Sequence, residues 1–416
     1  MARRRESTKG DHMDWADTPE QAEFRQRVKD VIEAKLPAYY KELLDKGLED
    51  PGSWIGDRNS DDEEQRSAAV EWGESMSAEG WFAPHWPEEY GGAGLTPMEQ
   101  FIYNMEMAEA GAPSVGGGGV SLLGPTIIVH GRDDQKQKYL SGILSGEIVW
   151  AQGYSEPGAG SDLGSLQTRA MLDGDEYVIN GQKIWTSGAH HADSLFALVR
   201  TNPDAPKHRG ISFMLIDDIH TPGLNIRPLI NAAWKHGFNE TFFEDVRVPA
   251  TNVLGEVDRG WYVGMTLLDY ERSNISGAVA LQRNIKRLID EANSGKESAR
   301  VTTAVRNFIT DCFIECEVGF NFSFRIISMQ NAGVLPNYEA STAKMFISEV
   351  NQRTQRAGTR LFGLYANIWD EDDPRAPARA QFTQRYVLTI PATIAGGSSE
   401  IQRNIIATRG LGLPRG

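Results

Sequence analysis

The spacing of apolar residues changes twice along the chain, and that double switch restricts the folds open to it. From about Asp17 to Trp150 the spacing is helical. Thr18-Pro19-Glu20 sets an N-cap residue ahead of a proline at the first helical position, and Phe24, Val28, Val31 and Ile32 follow on one helical stripe. Asp61-Asp62-Glu63-Glu64 puts acids in a first helical turn, where the helix dipole favours them. The glycines between Pro84 and Pro97 interrupt the helices, and Gly116 to Gly119 open another that runs to about His130. From about Ala151 to Pro249 the pattern is that of strands. Residues 168–172 and 176–180 flank the turn Asp173-Gly174-Asp175, Asn180-Gly181 marks the next turn, and residues 195–200, 211–216 and 241–248 read as further short strands. From about Arg259 the helical period returns. Trp261, Met265, Leu268, Ile275, Val279 and Ile285 predict one long amphipathic helix ending near Asn293-Ser294-Gly295. Helices over about 302–331, 338–368 and 373–388 follow, with a last one after Gly396-Gly397-Ser398-Ser399.

The expected architecture is therefore α+β and multidomain. It has an N-terminal helical domain over 14–150, a central antiparallel β-barrel or sandwich over 151–250, and a C-terminal helical bundle over 251–416. Alternating strand–helix units, which would build a parallel sheet, are missing. So are a G-x-G-x-x-G after a strand, a P-loop, a G-x-S-x-G elbow and an H-E-x-x-H pair. These absences weigh against a nicotinamide enzyme of the usual fold, a serine hydrolase and a zinc protease.

Composition narrows the field further. A chain of 416 residues with 40% hydrophobic and 24% charged residues is globular rather than disordered. The net charge of −15 argues against nucleic acid as a partner, although a local pocket can still be positive for an anionic ligand. The two cysteines, Cys312 and Cys316, share one helical face with no histidine nearby, which points to helix packing rather than a disulfide or a metal site. No apolar run approaches the ~20 residues of a membrane span. The start Met1-Ala2-Arg3-Arg4-Arg5 lacks the apolar stretch of a secretory signal, so a cytoplasmic location is expected.

Three segments carry candidate chemistry. Gln152-Gly153-Tyr154-Ser155-Glu156-Pro157-Gly158-Ala159-Gly160-Ser161-Asp162 lies at the helical-to-strand junction, where its glycines let backbone approach a ligand and its N–H groups can form an anion-binding concavity. A well-turned linker is the plainer reading. Lys183-Ile184-Trp185-Thr186-Ser187-Gly188-Ala189 sets an indole beside two hydroxyls, which suits an aromatic ring system with polar edges; a strand with a packed Trp is the plainer reading here. The third segment is Ala395-Gly396-Gly397-Ser398-Ser399-Glu400-Ile401-Gln402-Arg403-Asn404.

In this order, and on this helical–strand–helical layout, the three segments resemble the acyl-CoA dehydrogenase family over nearly the whole chain. The resemblance implies FAD as cofactor, contacted by Tyr154, Ser155, Trp185, Thr186, Ser187, Ser398 and Glu400. It implies an acyl-CoA substrate met by Ser161, Asp269, Arg272 and Gly396, and an electron-transfer flavoprotein or similar acceptor. Desaturating a thioester at Cα–Cβ needs a base for the α-proton and a hydride acceptor at Cβ, which the flavin N5 supplies. Many members place the base as a Glu just ahead of the glycine of the third segment, where this chain has Gly396. Some relatives carry it instead on the long helix, directly before an Arg, and Leu268-Asp269-Tyr270-Glu271-Arg272 makes Glu271 the candidate catalytic base. A Glu on a helix is otherwise a surface residue. Burial would raise its pKa while Arg272 would lower it.

Homotetrameric relatives also hold the adenosine end of each FAD with segments from a neighbouring subunit. One is an Arg-x-x-Phe-Gly stretch, matched here by Ser294-Gly295-Lys296-Glu297-Ser298-Ala299-Arg300. The other is a Gln before a Gly-Gly-x-Gly turn, matched by Arg360-Leu361-Phe362-Gly363-Leu364-Tyr365-Ala366. Both departures open the choice between a homotetramer and an α2β2 assembly, like the paired bacterial relatives that act on sterol side chains. Two other readings of the fold stand beside the dehydrogenase: a flavin monooxygenase, and a non-catalytic partner subunit. For Leu95, Met98, Phe101 and Trp261, core packing is the plainer reading than pocket lining, and Gly116 to Gly119 fit either space for a bulky acyl group or a tight helix approach.

Overall fold

The computed structural model describes residues 17–46, 54–269, 275–294 and 301–414. Seven helices open the described chain: α1 (Pro19–Lys35), α2 (Ala38–Asp45), α3 (Trp54–Arg58), α4 (Glu63–Ala78), α5 (Pro97–Glu109), α6 (Gly124–His130) and α7 (Asp133–Leu144). Their starts follow the expected chemistry. Thr18 and Thr96 cap α1 and α5 in reciprocal capping boxes with Gln21 and Glu99, each before a proline, and Asp62 accepts the N–H groups of Glu64 and Gln65 at the head of α4. Each such cap contributes ~1 kcal/mol. Two of the glycines at 116–119, Gly116 and Gly117, are packing residues. A Cβ on Gly116 would stand 2.2 Å from Val120, and one on Gly117 2.2 Å from Ile55, so helix approach rather than acyl space explains them.

The middle of the chain forms one mostly antiparallel sheet. Its strands are β1 (Trp150–Gly153), β2 (Arg169–Asp173), β3 (Glu176–Lys183), β4 (Ser194–Arg200), β5 (Ile211–Ile216), β6 (Leu224–Ile230), β7 (His236–Pro249) and β8 (Val253–Leu254). The order is β6-β7-β3-β2-β4-β5-β8, with β1 parallel to β4. Only Arg169↔Arg200 joins β2 to β4, so the sheet consists of two halves that fold on each other. Between them lies a core of Ala170, Ile179, Leu195, Ala197, Val199, Met214, Val246 and Val248. The opposite faces of β4 and β5, through Phe196, Leu198, Phe213 and Leu215, join the core of the N-terminal helices around Trp72 and Trp86. Burial on both faces is why these strands read as unbroken apolar runs rather than alternating ones.

Six helices complete the described residues: α8 (Gly260–Asp269), α9 (Ile275–Asn293), α10 (Thr303–Asn331), α11 (Tyr338–Phe362), α12 (Gln381–Leu388) and α13 (Ser399–Ile405). The single long helix expected from Trp261 is described as α8 and α9, with residues 270–274 outside the described set. Cys312 and Cys316 are free and buried on one face of α10, inside the helical core with Val350 and Ala357.

Three expectations are corrected. Asn180-Gly181 is no turn: β3 runs through it, and the register shifts between Ile179 and Gly181 while Asn180 bonds Asp245 across the sheet. That is a bulge whose extra residue lies on β7 opposite Asn180-Gly181, where Asp245 takes a left-handed φ of 54°. The helix expected to reach Ile368 ends at Phe362, where Gly363 adopts a left-handed φ of 56°. The helix expected from Asp373 begins only at Gln381, behind left-handed Ala378, Arg379 and Ala380.

Candidate active site

β1 delivers the first segment. The chain leaves the sheet at Gly153, and Tyr154 lies buried with its ring edge-on to Phe196 and Phe213 at 6.0 and 6.2 Å. Glu156 and Ala159 then exchange backbone hydrogen bonds of 3.0 Å around Pro157-Gly158, and this tight turn points the Glu156 carboxylate inward. It accepts the N–H groups of Gln167 and Thr168 at 2.6 and 2.8 Å and the Lys183 ammonium at 2.8 Å. Lys183, fully buried, also donates to the Tyr154 carbonyl at 3.1 Å, and the Ile184 N–H donates to the Ser155 carbonyl at 2.9 Å. The first and second segments are thus fastened along their length. Burial pulls the Lys183 ammonium down to about 8, against the pull of Glu156. Burial would raise Glu156, but Lys183 and the two backbone donors outweigh it and hold its carboxyl below the usual range.

Beyond Lys183 the second segment makes a further bulge. Lys183 pairs with Thr241 in the ladder, yet Thr186 exchanges its N–H and C=O with Asn239, at 3.0 and 3.1 Å. One extra residue is therefore accommodated on the β3 side, and Trp185 takes a left-handed φ of 62°, a conformation usually left to glycine. The bulge turns the indole outward, 55% exposed, with only Phe238 set edge-on against it at 5.9 Å. Ser187 is exposed beside it, and Ser155 is half-buried. Thr186 is fully buried and its hydroxyl accepts from Thr241 at 3.1 Å, so it faces the sheet and not the surface its neighbours share.

The third segment is anchored to α11. Gly396 and Gly397 have φ of 62° and 84°. Lys344 on α11 donates to the Gly397 carbonyl at 2.6 Å, and Gln402 donates to that of Gly396 at 2.9 Å. Ser398 caps α13 by accepting the Ile401 N–H, Glu400 is exposed, and the buried Ser399 hydroxyl has no hydrogen-bond partner among the described residues. A Cβ on Gly396 would meet nothing closer than Lys344 Cε at 3.8 Å.

α8 passes over Tyr154 at Gly264, where a Cβ would stand 3.4 Å from the Tyr154 hydroxyl oxygen. The backbone of Asp269 ends α8 five residues on, ~7.5 Å along the axis. Glu271 and Arg272 lie outside the described residues, as do residues 295–300 of the first adenosine-side match. Ser161 is exposed; the next residue, Asp162, is held by Lys207 and Ser165, and the Lys207 hydrogen bond keeps its carboxyl below the usual range. Phe101 is buried against Phe320 and Phe324 in the helical core, Leu95 and Met98 are partly buried there or nearby, and Trp261 packs at a tilt against the His208 ring at 4.5 Å. In the second adenosine-side match, Arg360 lies over the Phe308 ring and Leu364 is 86% exposed.

The residues that join the segments, Glu156 with Lys183, Asn239, and Lys344 with Gln402, carried no role in the sequence. One signal points at two of them. Lys183 and Asn239 both occupy strand positions that face inward, where an unpaired charge or amide is costly.

Comparison with known proteins places the three regions of the chain in one family. The family description "Acyl-CoA dehydrogenase, N-terminal domain" matches residues 18–147, the middle-domain description 151–246 and the C-terminal-domain description 258–411. The chain is 35% identical over 396 residues to acyl-CoA dehydrogenase IpdE1 of Mycobacterium tuberculosis, covering 94% of this chain and 98% of that one. Among solved structures it is similar to the Tcur3481-Tcur3483 steroid ACAD, with TM-score 0.82 and 32% identity over 97% of this chain and 100% of that one. It is likewise similar to the ChsE4-ChsE5 complex of Mycobacterium tuberculosis, with TM-score 0.76 and 31% identity over 97% and 100% of the two chains.

Proposed function

The chain belongs to the acyl-CoA dehydrogenase family and is an oxidoreductase of that class, and we propose that it is an FAD-dependent desaturase of an acyl-CoA thioester with Glu271 as its base. The observation that carries this reading is the Trp185 bulge. A half-exposed indole on a strained backbone, beside the Ser187 hydroxyl, is held to the first segment by a buried ion pair, and no packing need among the described residues explains it. A flat ring system with polar edges fits that surface, and the unpartnered, buried Ser399 hydroxyl of the third segment offers a further polar group. Tyr154, Ser155, Trp185, Thr186 and Ser187, with Ser398 and Glu400, are the residues assigned to hold FAD, Thr186 by fixing its neighbours.

When bound, FAD supplies the two-electron acceptor for the β-hydride. The protein's own tasks are then to take the α-proton and to stabilise the charge that develops on the thioester oxygen. Glu271 takes the proton, and the absence of a side chain at Gly396 leaves room for it to act from the long helix. The Gly396 N–H donates to the thioester oxygen; its left-handed conformation, fixed by Lys344 and Gln402, sets that donor in advance. Ser161, Asp269 and Arg272 are assigned to the substrate. Electrons leave to an electron-transfer flavoprotein or similar acceptor.

The chain is also proposed to work in an oligomer. Leu335, Leu364, Ile394 and Leu411 are each more than 60% exposed on the C-terminal part, an unusual load of bare apolar side chains for a monomer. The altered adenosine-side segments favour an α2β2 assembly with a related subunit, as the paired names of the similar steroid ACAD and ChsE4-ChsE5 structures suggest. If the purified chain alone formed a stable tetramer with one FAD per subunit, that assembly would be refuted.

The test of function is the visible spectrum of the purified chain, alone or co-expressed with its partner, before and after anaerobic addition of acyl-CoA thioesters. Bleaching of the flavin band by a thioester, lost by ~10²–10⁴-fold in rate in Glu271→Gln, is the expected result. Flavin unbleached by any thioester would move the assignment to an oxygen-activating reaction on the same fold, and equal bleaching rates in Glu271→Gln would refute Glu271 as the base.

A further inference from the structure

The flavin-facing bulge is fastened from below by a residue that takes no part in the proposed chemistry. Asn239 is fully buried, one residue past Phe238 on β7. Besides the paired backbone bonds to Thr186, its side-chain Nδ2 donates to the Thr186 carbonyl at 3.0 Å. That carbonyl can only accept, which fixes the orientation of the amide. The same Nδ2 lies 3.0 Å from His190 Nδ1, and Oδ1 lies 2.9 Å from His236 Nε2. His190 Nδ1 must therefore be an acceptor and His236 Nε2 a donor, and the two imidazoles stack at 3.8 Å with their planes 20° apart. His190 is held neutral in this arrangement; burial brings it down to about 4, reinforced by His191 and His236.

We propose that Asn239, oriented by His190 and His236, is a positioning residue that holds Trp185 and Ser187 in the bulged conformation through which the chain grips the flavin. Three observations converge on it. Trp185 occupies a backbone region unfavourable to a side chain, so something must hold it there. The Thr186 carbonyl, next in the chain, receives two hydrogen bonds from one residue, the Asn239 backbone N–H and its side-chain amide. The amide in turn has no freedom to flip, because the reversed orientation would set Oδ1 against the Thr186 carbonyl.

The inference rests on the flavin reading above, and the experiment separates the two. Asn239→Asp keeps shape and the acceptor for His236 but sets a second oxygen against the Thr186 carbonyl. Hydrogen exchange of peptides covering 184–190 in the FAD-free full chain, and the FAD dissociation constant with the bound-flavin spectrum, are measured for wild type and variant, with the partner present if uptake requires it. His236→Gln, which retains a donor to Oδ1, serves as the conservative control. The expected result is exchange at least tenfold faster over 184–190 and FAD binding at least tenfold weaker in Asn239→Asp, with a displaced flavin band and His236→Gln close to wild type. Unchanged exchange would overturn the clamp. Faster exchange with unchanged FAD affinity and spectrum would overturn its role towards the flavin. A wild-type chain that takes up no FAD in any assembly, while exchange still responds to Asn239→Asp, would overturn the flavin reading and this role with it, leaving the clamp as architecture.

Discussion

Replacing Lys183 with methionine tests whether the first two segments act as one unit. The ammonium is fully buried and Glu156 is 8% exposed, so solvent does not screen the pair. Breaking a buried ion pair by removing one partner costs ~3–5 kcal/mol, because the remaining charge is left without compensation. Glu156 keeps two backbone donors, at 2.6 and 2.8 Å, which places the cost at the lower end of that range. The Tyr154 carbonyl loses the Lys183 donor as well, worth ~1 kcal/mol. A total of about 4 kcal/mol follows, and for a chain of 416 residues, at ~1 °C per kcal/mol, the main thermal transition drops by about 4–5 °C. The assay is differential scanning calorimetry at pH 7, one unit below the Lys183 value of about 8, so that the pair is ionised in the wild type. Adding Glu156→Gln to Lys183→Met removes the stranded charge and keeps one carbonyl oxygen as acceptor for one of the Gln167 and Thr168 N–H groups. The double variant is therefore expected to be more stable than either single variant. Additive losses, or a Lys183→Met transition within about 1 °C of wild type, would refute the reasoning; that margin corresponds to less than ~1 kcal/mol.

Two other substitutions probe backbone geometry. Trp185→Gly relieves a left-handed φ worth ~1–2 kcal/mol at the expense of ~0.5–1 kcal/mol of glycine entropy. The FAD-free protein is expected to melt at or slightly above the wild-type temperature, while FAD affinity measured by flavin fluorescence falls at least tenfold; a clear loss of stability would mean the indole is a packing residue. Gly396→Ala and Gly397→Ala should differ although both glycines are left-handed: the first adds a Cβ with 3.8 Å of clearance, the second one at 2.6 Å from Gln402 Nε2. Chemical denaturation is expected to show a loss of ~1–2 kcal/mol for the first, from backbone strain alone, and a larger loss for the second, with equal losses counting against the clamp on this turn.

The layout of the fold was legible because it depends on local period: α1, α4 and α5 start where their caps lie, and the hairpin of β2 and β3 turns at Asp173-Gly174-Asp175. The site was legible only as three segments, because what joins them is set by pairing register, which no local pattern encodes. Asn180-Gly181 has the composition of a hairpin turn, yet β3 runs through it and the register sets it opposite a bulge on β7. Trp185 reads as a strand residue, and its left-handed conformation exists only because Lys183 pairs with Thr241 while Thr186 bonds Asn239. Starting the last long strand at Thr241 excluded Asn239 from view, though β7 begins at His236 and Asn239, Thr241 and Phe243 alternate inward. A buried amide at such a position must find its partners within the fold. It finds them in the Thr186 carbonyl and two histidines, so the inward polar residues of this sheet, Lys183 and Asn239, are better markers of where the site is held together than the exposed hydroxyls that identify its segments.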